Sequence, residues 1–115
     1  MAIKIKLMAD YGCDPLWWAE ADKVGNIDPQ KLPLLQKTIS RLHKWALAYN
    51  ATLNWSDPAS SQGFSSIEAD AAFEEEGISL WKQLQQELAL NYEVVYFSDR
   101  LGKIVNHPNE LEVLR

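Results

Sequence analysis

IKIKL, residues 3–7, alternates without exception between apolar residues and lysines. A period of two places Ile3, Ile5 and Leu7 on one face and Lys4 and Lys6 on the other, which is the pattern of a strand with one buried and one solvated side. Near the other end of the chain YEVVYF, residues 92–97, is dense in aromatic and β-branched residues and reads as a second strand. SDRLG then supplies a turn, and KIV at 103–105 is the expected hairpin partner. With Tyr92, Val94 and Tyr96 facing the core, Glu93, Val95 and Phe97 share the open face with the lysines. Glu93 pairs with them, whereas Val95 and Phe97 are left uncovered, so a homodimer joined through that face is an expectation of the pattern.

Between these strands the apolar period lengthens to that of helices. Pro33 biases Leu32 away from helical backbone, so the first long helix is expected to start near Leu34, after a short turn opened by Asp28 and Pro29. Its stripe is Leu35, Ile39, Leu42, Ala46 and Tyr49, with Lys37, Arg41 and Lys44 opposite and Asn50 as C-terminal cap. A capping box of Ser65 and Glu68 starts the second helix, whose stripe is Phe73, Gly77, Leu80, Trp81, Leu84 and Leu88. Gly77 in mid-stripe costs about 1 kcal/mol relative to alanine, so it signals a close approach or a local break. The elements predict an α+β fold, a small two-layer sandwich in the order β-α-α-β-β with both helices on one face of a mainly antiparallel sheet.

A chain of 115 residues is expected to form one domain over 1–115 and to bury about two-thirds of its unfolded surface. Its 47% hydrophobic and 23% charged residues give an ordinary globular profile. The single cysteine cannot close an internal disulfide. MAIKIKLMAD is not patterned as a signal peptide, and no apolar run approaches the ~20 residues that span a bilayer. A cytoplasmic protein without a membrane role is the expectation. The net charge of −5 is concentrated: residues 65–88 hold Glu68, Asp70, Glu74, Glu75, Glu76 and Glu87 against Lys82 alone, and the rest of the chain balances. An acidic face disfavours nucleic acid and favours basic partners.

Two connections, 9–28 and 51–64, are longer than the usual link and are candidate binding surfaces. The first contains DYGCDPLWWAE at 10–20. Cys13 there has carboxylates for neighbours, which raise a thiol pKa rather than activate it. Asp10 and Asp14 offer a carboxylate pair for acid–base work or a cation, but Asp14 before Pro15 also fits a helix cap, and Asp10 a turn. No zinc, EF-hand, P-loop or dinucleotide spacing is present, so neither cofactor nor metal is expected. NWSDPASSQGF, 54–64, reads as a structured turn leading to the helix cap. Trp17 and Trp18 diverge whether on a strand or a helix, so a single core fully buries only one. The other, with Trp55, is a candidate contact, because tryptophan is enriched at binding hot spots. The run Glu74–Glu76 lacks a lysine or arginine three or four residues away and reads as a solvated face or a recognition patch, partly neutralised by the basic side of the first helix.

DYGC, PLW, GNIDP, LNWSDP with a following GF, and EEEG before LW recur here in an order that resembles a family of small bacterial proteins with no assigned activity. The likeness covers nearly the whole chain and transfers no catalytic residue. In type it is similar to immunity proteins, small acidic α+β proteins that neutralise toxins. Together the readings favour a non-enzymatic, protein-binding module using Trp17, Trp18, Trp55, Glu74 and Glu75. The alternative is a small enzyme or small-molecule binder with its site between loops 9–28 and 51–64, using Asp10, Cys13, Asp14 and Asp57.

Overall fold

The computed structural model describes residues 2–52, 66–98 and 101–106. Strand β1 is Ile3–Leu7, β2 Leu16–Trp18 and β3 Asn26–Ile27; helix α1 is Gln36–Asn50 and α2 Ile67–Glu87; β4 is Tyr92–Ser98 and β5 Lys103–Val105. The sheet runs β3-β2-β1-β4-β5. Among the described residues only β1 and β4 pair in parallel, and the chain between them carries β2, β3 and then both helices. The α+β order read from the long elements therefore holds, with two short strands added.

Those additions lie where a long loop was expected. No helix starts at Asp14 and Pro15; Pro15 is buried just before β2, and the Met8 N–H donates to its carbonyl at 2.9 Å. Asn26 takes the capping role, accepting from the Asp14 N–H (2.8 Å) while its own amide donates to the carbonyls of Asp14 (2.7 Å) and Leu16 (2.9 Å). LWW is aromatic and suited to a pleated surface, and this amide holds it as a strand. Asp28 and Pro29 do open a short turn, a 3-10 helix over Pro29–Lys31 in which the Asp28 side chain accepts from Gln30 N–H.

One row of the sheet explains the core. Ile27, Leu16, Leu7, Tyr96 and Val105 stand side by side across all five strands, each at most 4% exposed. Leu42 and Trp45 of α1 and Phe73, Leu80, Trp81 and Leu84 of α2 pack onto that face. Trp45 belongs to the stripe although the expected set omitted it: it lies three residues after Leu42, is 3% exposed, stacks on Phe73 with ring centres 4.6 Å apart, and donates its indole N–H to the Phe73 carbonyl at 2.9 Å. Leu35, at the other end of the expected stripe, is 52% exposed because it precedes the helix rather than beginning it.

Gly77 marks a close approach rather than a break. A Cβ there would lie 2.6 Å from the Tyr96 hydroxyl and 2.9 Å from the Trp45 ring, so glycine is what lets α2 settle onto both. The cap of α2 is Ser66, whose hydroxyl accepts from Ala69 N–H at 3.0 Å, one residue later than the expected capping box.

On the opposite face the register row is Asn26, Trp17, Lys6 and Val95. Val95 is 1% exposed, which corrects the expectation of an uncovered Val95–Phe97 pair; Phe97 is half-buried. Burial within the chain removes Val95 from any surface offered to a second copy. Lys4 and Glu93 pair as expected at 3.8 Å, both well exposed, where such a pair contributes little.

Candidate functional site

The acidic run of α2 separates into three different environments. Helical geometry turns successive side chains by about 100°, so three adjacent glutamates cannot share a face. Glu74 points inward and is 7% exposed; its carboxylate accepts from the Tyr96 hydroxyl and from Ser98 Oγ, the latter at 2.6 Å. This corrects its expected place on a partner-facing surface. The sequence carried the signal, since Glu74 lies three residues before Gly77 and seven before Trp81, at the edge of the apolar stripe.

Glu76 turns sideways to α1. Arg41 grips it through Nε (3.1 Å) and Nη2 (2.9 Å), and Nη2 also donates to Ser79 at 3.0 Å. The Glu76 bonds, opposed in part by desolvation, hold the Arg41 guanidinium above its ordinary range. The basic face of α1 thus neutralises one acid of α2, as its position opposite the stripe implied. Glu75 is exposed, and so is Glu68 one helical stretch earlier; among the described residues neither has an ion-pair partner. Asp70 is half-buried in the first turn. What remains is a sparse acidic face on the outer side of the N-terminal half of α2.

The tryptophans divide as strand neighbours must. Trp18 is on the helix side opposite Ile5, packs against the core, and carries the Lys23 ammonium 4.2 Å from its ring centre. Trp17 is on the other side, half-buried, with its indole N–H donated to the Met8 carbonyl at 2.9 Å. Trp17 and Glu75 therefore stand on opposite sides of the sandwich. Trp55 and Asp57 lie outside the described residues, as does all of NWSDPASSQGF.

The loop that suggested chemistry is fastened to the end of α1. Tyr11 stacks on Tyr49 with ring centres 4.6 Å apart and bonds Thr52 through its hydroxyl at 2.8 Å, while Gly12 N–H donates to the Asn50 side chain at 3.0 Å. Gly12 has φ +72°, a conformation that glycine adopts without strain. Asp10 Oδ1 accepts from Tyr11 N–H (2.8 Å), and Cys13 Sγ donates to the Tyr11 carbonyl (3.5 Å). These side chains thus serve their own loop. Among the described residues no three His, Cys, Asp or Glu side chains are grouped as metal ligands, and no helix is long and apolar enough to cross a membrane.

Comparison with protein families finds a match over residues 3–99 to the family described as Serratia CdiI immunity protein-like. The chain belongs to that family. The matched span begins with β1 and takes in the tryptophan strand, both helices and the whole of β4, so every described feature of the acidic face falls within it. The membership agrees with the immunity-protein type suggested by the sequence. No curated protein matches the chain.

Proposed function

We propose that this protein is a cytoplasmic immunity protein that binds and neutralises a toxin protein, and that the outer face of α2, with Glu68 and Glu75, forms part of the contact. The observation that carries the surface is the orientation of Glu75: its neighbours Glu74 and Glu76 are committed to β4 and α1, while Glu75 is exposed and has no ion-pair partner among the described residues. Family membership supports the protein-binding role. Acidic side chains without local counter-charges favour a basic protein surface, steer its approach, and repel nucleic acid. Trp17, on the far side of the sheet, is not part of this face.

The test is co-expression of the chain with each gene product encoded beside it. One flanking product should arrest growth alone and permit growth when this chain is present. Flanking products that are all harmless, or a toxic one that this chain fails to neutralise, would contradict the reading.

A further inference from the structure

Val95 is 1% exposed, yet it faces away from both helices, in the outer row with Trp17 and Lys6. The apolar cluster that the helices close over the inner face does not include it. Along β4 its neighbours on the same face are Glu93, exposed, and Phe97, half-buried; across to β1 it meets Lys6, also half-buried. Trp17 stands two strands away, about 10 Å across the sheet, with its indole N–H held by the Met8 carbonyl. A valine with glutamate and lysine for neighbours on an open sheet face keeps contact with water. Some further part of the chain therefore covers it. Ile104, opposite Phe97 on β5, is 47% exposed, which centres that cover on β4 and β1 rather than on the β5 edge.

The course of the chain after β5 points to the C-terminal segment. Tyr96 pairs with Val105, so Asn106 comes opposite Val95, and there the chain bends. Pro108 lacks the N–H that a longer β5 would offer to a ladder. Residues 107–115 lie outside the described residues; nine residues reach about 30 Å when extended, against about 15 Å from β5 to β2. ELEVL at 110–114 has the period of two seen in β1, with Leu111 and Val113 on one side and Glu110 and Glu112 on the other. Its acids suit a face that carries Lys4 and Lys6, the latter without an ion-pair partner among the described residues. We propose that residues 107–115 fold back across the outer face of the sheet, where Leu111 and Val113 cover Val95 and Phe97. The sheet side is then occupied by the chain itself. The inference goes beyond the immunity reading and does not depend on it, and its test needs no toxin.

The experiment uses the full, isotopically labelled chain and nuclear Overhauser contacts between methyl groups. The Val95 methyls should show contacts to Leu111 or Val113, and these should persist when labelled chain is diluted with unlabelled. Contacts from Val95 to residues 53–65 instead, contacts that isotope filtering assigns to a second copy, or none beyond β1, β4 and β5 would each overturn the inference. Leu111→Asp should lose the contacts and raise the fluorescence of a dye that binds exposed apolar surface, whereas Glu112→Gln, on the other side of the segment, should leave both as in the parent. Parental dye binding by a folded Leu111→Asp also overturns the inference; if that variant fails to fold, the contacts in the parent chain decide alone.

Discussion

The carboxylate of Glu87, at the end of α2, accepts the Leu35 N–H at the start of α1 at 2.8 Å. It also accepts from the Thr38 hydroxyl (2.5 Å) and the Gln83 amide (2.7 Å). Leu35 has no side-chain oxygen to cap its own helix, so the second helix supplies the cap across the pair.

The cap makes stability depend on pH. Burial would push Glu87 up, but the bonds from Thr38, Leu35 and Gln83, with Lys37 nearby, outweigh it and hold the carboxyl below its ordinary 4.5. A depressed carboxyl stabilises the fold above its unfolded pKa, and that contribution disappears as pH falls through the native value. Glu87→Ala should therefore lower the melting temperature at pH 7, with the gap to the parent closing below pH 4.5. A gap that stays constant down to pH 2 would contradict this role.

Gly77→Ala sets two effects against each other. Alanine gains about 1 kcal/mol of helix propensity, whereas overpacking a filled core costs about 1–3 kcal/mol. The clash is with the Trp45 ring, stacked on Phe73, and the Tyr96 hydroxyl, bonded to Glu74, neither of which can swing aside. Urea denaturation should show net destabilisation; a more stable variant would mean that the core yields.

Trp17 and Trp18 should respond differently to truncation. Trp18→Ala removes a ring packed against the core and is expected to cost about 1–2 kcal/mol more than Trp17→Ala, a fraction of the value for a fully buried side chain. Chemical denaturation of both variants gives the comparison, and a larger loss for Trp17→Ala would reverse the assignment.

The sequence shows some of these features more plainly than others. β1 and β4 are legible because their periods are long enough to see, and both helices because their stripes persist through several turns. β2 and β3 escape because two or three residues carry no period, and their pairing depends on the Asn26 side chain, a contact that only the fold creates. Val95 misleads because alternation names a face without saying how well that face is covered. Glu74 misleads because three like charges suggest one surface, although helical geometry spreads them over three. Glu75 is legible by the same geometry, being opposite the stripe.

The most direct test of the central claim is the affinity of the flanking-gene toxin for Glu75→Lys, measured at low and at physiological salt. Residue 75 is exposed and clear of the first helical turn, so the variant should melt with the parent. The account predicts binding weakened about tenfold, near 1.4 kcal/mol, with a shallower salt dependence. Parental affinity and parental salt dependence would contradict it.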